Sequence, residues 1–315
     1  MGLRAQAHEL EVDIGDAFGL EAILPDDATS WNSAPLRPKE VAFRGNLLIW
    51  YRWKLTRFEW DLFQILFAKE KPAPLDLWTA ANKLAESLVR WYAELPDSLQ
   101  YRPSMPAPLY EFHAHYFCVH MILHCQAYEM LFGSAINRVN HYVGDSVSPD
   151  VKQQLSEHRL EYAFKAAYLS RDFGNEYGWK IAPPHIFQQA TNAVFVFLQD
   201  IQDRASHGIQ SEASMVDVER GFEECFRCLL GCGMQQMLPR GIARMIYHTA
   251  TKLRLKLPDL VQRVLQIVAD TAWHPSDLRF LNSIFPNPII ARSRKVSQNE
   301  SRMGSLLNEW ENGSR

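Results

Sequence analysis

The feature that most constrains this chain is the way proline cuts it into long runs compatible with helix. Residues 41–68 contain no proline and are dense in Leu, Ile, Trp and Phe, and Pro72 and Pro74 close that run. In the next run, 77–93, Leu77, Ala81, Leu84, Leu88 and Trp91 recur at intervals of three or four, the spacing of one helix face. Pro96, Pro103, Pro106 and Pro108 mark a connector. Pro108 stands where a first helical turn tolerates it, so the following helix runs from there to about Phe132, with Gly133 as its stop. Further helices are expected at about 150–172, 184–204, 215–231, 240–256 and 259–271, and Ser214 with Asp217 three residues on supplies a start signal. Alternating β-branched stretches are nearly absent, and no internal repeat is visible. The expected fold is all-α: a single large irregular domain of seven to nine helices over 41–272.

Both flanks read differently. Residues 1–40 set eight acids against Arg4, Arg37 and Lys39, with Pro25, Pro35 and Pro38 among them, which predicts an acidic, irregular lead-in. Beyond Trp273 the helical period is lost, and 287–315 are rich in Ser, Asn and Arg, so 273–315 are expected to be mostly disordered. Arg292, Arg294 and Lys295 in that tail read either as solvated charge or as part of a nuclear localisation signal.

Charge and cysteine usage exclude several classes. Thirty-three basic and 36 acidic residues leave a formal charge of −3, which argues against a chain built to neutralise a phosphate backbone. No window reaches the roughly 20 apolar residues of a membrane span, and no secretory leader is visible at the start. Five cysteines (118, 125, 225, 228 and 232) are too few and too clustered for a secreted disulfide framework, so a reducing compartment is expected.

Two constellations could carry chemistry. His113, His120 and His124 fall on one stripe of the 109–132 helix with Phe117 and Leu131, while Glu111, His115, Gln126 and Glu129 take the other side. His120 and His124, four apart, are the only metal-ligand candidates, but no inward carboxylate accompanies them. Hydrogen-bonded core histidines account for the stripe more simply. Cys225, Cys228 and Cys232 lack a fourth ligand for zinc and align with Val218, Phe222 and Leu229, which reads as packing. Trp50, Trp53, Phe58, Trp60 and Phe63 could line an apolar cavity or simply pack. No phosphate-loop, dinucleotide, nucleophile-elbow or zinc-protease motif occurs, so no catalytic residue and no cofactor is expected.

A further pattern lies across two of these helices. Leu88-x2-Trp91-x3-Leu95-Pro96-x2-Leu99 is followed by Phe112-His113-x2-Tyr116 and then Ile122-Leu123-His124. With Ala163-x2-Ala166-Ala167, the Pro183-Pro184 break and a helix through Ala190 and Phe197, this order resembles the middle homology region of fungal zinc-cluster transcription factors over residues 20–255. The structural motif positions are Trp91, Leu95, Pro96, His113, Tyr116 and His124; His120 is outside the pattern. Two departures are clear. Cys125-Gln126-Ala127-Tyr128 replaces the family's Arg-Pro-Phe, and five cysteines cannot form the six-cysteine zinc cluster that reads DNA.

The resemblance implies a transcription-regulator-like protein without its own DNA-binding module, located in the nucleus or else in the cytoplasm, and either a truncated regulator or an accessory regulator of a gene cluster. Its implied partners are proteins of the transcription machinery or a homo- or heterodimer partner, with a small-molecule effector. No direct sequence-specific DNA binding and no membrane association are expected. The alternatives are an all-α small-molecule-binding protein or enzyme using the His113/His120/His124 stripe, and a helical interaction scaffold.

Overall fold

The computed structural model describes residues 28–32, 40–66, 73–132, 149–207, 213–233 and 237–270. The fold is all-α. Eight α-helices occur among the described residues: α1 (Gly45–Leu66), α2 (Pro74–Ala93), α3 (Ala107–Phe132), α4 (Pro149–Tyr177), α5 (Pro184–His207), α6 (Met215–Gly233), α7 (Met237–Leu253) and α8 (Asp259–Asp270). One short antiparallel pair precedes them. Strand β1 (Ala28–Asn32) lies against β2 (Glu40–Arg44), with Ala28 opposite Arg44 and Asn32 opposite Glu40. This corrects two expectations. The acidic lead-in contains a strand, and the first helix begins at Gly45, because residues 41–44 spend their backbone hydrogen bonds on the ladder instead. The expected tail, 273–315, and the helix stop at Gly133 lie outside the described residues.

Local chemistry sets the helix ends. Pro74 opens α2 at its first position, where a missing N–H costs nothing, with Asp76 in the first turn and Arg90 in the last. Ser214 caps α6: its Oγ accepts the Asp217 N–H at 3.2 Å and lies 2.6 Å from the Asp217 carboxylate. Helix α4 extends beyond the expected 172 to Tyr177. There Gly178, at φ +69°, closes the last turn with its N–H on the Gly174 carbonyl.

Helix α3 is the centre of the domain. It packs on α1, α2, α4 and α5, and 17 of its residues are buried. Of the strip opposite the histidines, Gln126 is exposed, whereas Glu111 and His115 face neighbouring helices. Arg52 of α1 and His185 of α5 both bind Glu111, at 2.6 and 3.1 Å, and His115 Nε2 lies 2.6 Å from Glu59. These contacts hold the Glu111 carboxyl down to about 2, chiefly through His185 and then Arg52. Ala163, Ala166 and Ala167, all fully buried, give α4 a small-residue face beside α3, α5 and α6. Trp179 follows α4 and fills a slot between Gly174 and Gly231 of α6, where a Cβ on either glycine would overlap its ring.

Candidate functional site

The two halves of the sequence motif meet at one joint. Leu77, Ala81, Leu84 and Leu88 bury one face of α2, and Trp91 continues that face. The helix ends when the Glu94 N–H bonds the Arg90 carbonyl. Leu95 is then buried, and Pro96 leads into a single 3₁₀ turn (Asp97–Leu99) that also buries Leu99. The Trp91 ring lies 5.6 Å from Phe58, 6.0 Å from Phe112 and 6.2 Å from Tyr116. Its neighbour Tyr92 stacks on Tyr116 at 3.9 Å and 9°, and its hydroxyl is hydrogen-bonded to His113 Nδ1 at 2.7 Å. Trp91, His113 and Tyr116 therefore sit at one α2–α3 contact and Leu95 and Pro96 form the turn that ends α2, whereas His124 lies further along α3, beside α4.

His113, His120 and His124 are all buried. Burial lowers His113 to about 3, with the nearby Leu99 carbonyl acting the other way, and lowers His124 to about 3, helped by His158. His120 lies well below the usual imidazole value for the same reason, and neither of its ring nitrogens meets a hydrogen-bond partner. Its ring instead stacks on Tyr162 at 3.9 Å and 9°, and His124 stacks 5.1 Å from His158. The hydrogen bonding expected of core histidines is present at His113 but not at His120, which the rings around it hold instead. Among the described residues, no cluster of three or more His, Cys, Asp or Glu side chains could hold a metal ion.

The cysteines are likewise interior. Cys225, Cys228 and Cys232 are buried on α6. Burial pushes the Cys225 thiol well up, and Cys228 is raised too, by burial and by donating toward Cys232. On α1, Trp60 and Phe63 are about half exposed, Trp50 stacks on Trp53 at 5.2 Å, and Phe58 and Tyr51 reach the α2–α3 joint through Trp91.

A cavity lies beside the joint, at a place not expected from the sequence. It has a volume of about 380 Å³ and lies between α2, the 100–106 connector, α3 and α4. Val89, Tyr92 and Ala93 come from α2, Tyr101 from the connector, Tyr116 and Phe117 from α3, and Tyr162, Lys165 and Tyr168 from α4. The connector is fastened to the end of α4 at three points. Tyr101 donates to Asp172 at 2.6 Å, the Ser104 N–H donates to Glu176 at 2.8 Å, and Tyr177 donates to the Met105 carbonyl at 2.8 Å. Burial raises every one of Tyr92, Tyr101, Tyr116 and Tyr162, the last to about 12, so their phenols stay protonated near neutral pH. Lys165 is the single charged group in the lining. Its Nζ sits 4.5 Å above the Tyr162 ring and bonds Glu161, outside the lining, at 2.6 Å. The spacing Tyr162-x2-Lys165-x2-Tyr168 was the one sequence signal for this wall. Chemically the cleft offers stacking surfaces, hydroxyls and one ammonium, a set suited to binding.

Among the described residues, no helix is long and apolar enough to cross a membrane. Comparison of the chain with protein-family models, curated proteins and solved structures gives no match.

Proposed function

We propose that this chain is a transcription-regulator-like domain of the kind found in the middle of fungal zinc-cluster transcription factors, acting in the nucleus through protein partners and without its own DNA-reading module. One observation carries the reading. Three positions picked out by the motif, separated by up to 25 residues in sequence, meet at a single α2–α3 joint, in which Trp91 packs on Tyr116 and its neighbour Tyr92 holds His113 and Tyr116. A motif whose members support one another in this way is a scaffold signature, and a scaffold signature is what the resemblance assigns to them. The all-α fold supports the same reading.

The test is genetic. Deleting the coding sequence in the source organism and sequencing the transcripts should shift a coherent set of genes. Tethering the chain to a heterologous DNA-binding domain should change a reporter's output. An unaltered transcriptome together with a silent tethered reporter would remove the regulator from consideration.

The tyrosine-walled cleft favours a second reading, a small-molecule-binding protein. Calorimetric screening of the purified chain separates the two, because ligand binding needs no transcription partner.

A further inference from the structure

We propose that the cleft between α2, the 100–106 connector, α3 and α4 is a binding site for planar aromatic acids, with the tyrosine rings as stacking walls and Lys165 as the partner of the ligand's carboxylate. As an effector site it rests on the regulatory reading; as a binding site it does not, and the experiment below reads binding alone.

Shape and chemistry select the ligand together. A volume of about 380 Å³ is at the lower end for small-molecule sites and suits a compound of two or three rings. Seven of the nine lining residues are aromatic or lysine, and the remaining two, Val89 and Ala93, are aliphatic and exposed at the mouth. Flat aromatic faces at close spacing reward a flat aromatic guest through offset stacking and edge contacts. The parallel Tyr92–Tyr116 pair and the edge-on approach of Tyr116 to Tyr162, with centroids 6.3 Å apart, already display both geometries.

A box of tyrosines also suits a cationic guest, held against the ring faces. Here Lys165 decides the sign. Its ammonium already occupies the cation position over Tyr162, and no carboxylate lines the cleft. An incoming cation would meet a like charge, whereas an incoming carboxylate would meet an ammonium. Glu161 binds Lys165 from outside the lining at 2.6 Å, so a ligand carboxylate would share the ammonium with it from the cleft side. Tyr92 and Tyr101 are fixed by His113 and Asp172, so both walls are set before a ligand arrives.

The experiment titrates the full chain with three probes of matched size: 2-naphthoate, 2-naphthalenemethanol and (2-naphthylmethyl)trimethylammonium. Calorimetry should show one site for the naphthoate, with Kd of about 100 µM or tighter. The alcohol should bind about tenfold more weakly, and the cation more weakly still. Lys165→Met should bring acid and alcohol within about twofold of each other. Ala93→Trp, or Val89→Trp as an independent plug, should weaken naphthoate at least tenfold. All three positions are exposed or partly exposed, and parallel melts verify that the variants fold. Absence of saturable binding, tighter binding of the cation, an acid preference that survives Lys165→Met, or full affinity in both plugged variants would each overturn the proposal.

Discussion

Acidification should unfold this protein far more readily than its small net charge suggests. His113, His120 and His124 are neutral in the fold, each with a pKa pressed below the unfolded value of about 6.5 by burial. As pH falls through that value, the unfolded chain takes up protons that the native chain refuses. The stabilisation is therefore complete above about pH 6.5 and is lost progressively toward the native values. Between pH 7 and about 5.5 each histidine costs about 1.2 kcal/mol, so the three together cost about 4 kcal/mol. Glu111 and Glu161, both depressed to about 2, contribute little there, because a free carboxyl begins to protonate only lower down. A loss of about 4 kcal/mol is a large part of a domain's net stability of about 5–15 kcal/mol. Urea unfolding followed by tryptophan fluorescence at the two pH values measures it directly. His120→Phe keeps an aromatic ring on Tyr162 and removes two buried nitrogens that lack partners. It should cut the acid loss by about a third, or about 1.2 kcal/mol. A loss below about 1 kcal/mol in the parent, or an undiminished loss in His120→Phe, would show that these imidazoles are not held neutral by the core.

Three other perturbations probe the supports of the fold, each read by thermal or denaturant melts. Trp91→Ala should cost about 3 kcal/mol, because the ring contacts Phe58, Phe112 and Tyr116 but remains partly exposed. Gly231→Ala should cost about 1–3 kcal/mol, because the added methyl overlaps Trp179 between α4 and α6. Ser214→Ala should cost about 1 kcal/mol by freeing the Asp217 N–H at the start of α6, and Ser214→Asp should restore most of it.

Much of this architecture was legible because proline and the helical period are local signals. The 184–204, 215–231 and 259–271 helices begin where expected, and the Ser214 cap forms as its spacing implies. The β1–β2 pair was not legible, since its two five-residue strands are interrupted by a segment with Pro35 and Pro38 and carry no sustained alternation. The surroundings of α3 were half legible. The stripe through His113, Phe117, His120 and His124 is buried, but so is most of the rest of the helix, because four other helices surround it. Sequence period reports amphipathicity, and a helix enclosed on all sides has little to report. The cleft was hardest to see. Its lining comes from α2, α3, α4 and a connector whose course depends on the Tyr101–Asp172 and Ser104–Glu176 contacts, about 70 residues apart in sequence. Such long-range pairings leave no periodic trace. The α1 aromatics were the more conspicuous pocket candidates, yet Trp60 and Phe63 point largely to solvent.

The cleft and the acid-sensitive core are one structure. Tyr92 is tied to His113 by a 2.7 Å hydrogen bond, and Tyr162 rests on His120 at 3.9 Å, so two walls of the cleft are held by the residues whose protonation opposes folding. A ligand that binds only the folded chain stabilises it by RT ln(1 + [L]/Kd), about 2.7 kcal/mol at a hundredfold excess over Kd. That is smaller than the roughly 4 kcal/mol removed on acidification to about pH 5.5. An aromatic acid would therefore offset much of the acid loss without abolishing it, and its apparent affinity would fall once unfolded chain becomes populated. Because Lys165 lies on the partly exposed rim while the histidines are interior, Lys165→Met separates the two effects. It should remove the ligand's carboxylate preference and reduce the acid sensitivity of the free chain only slightly, because burial, and not the Lys165 charge, is the chief cause that lowers His120. A variant losing both together would mean that Lys165 supports the core rather than the site.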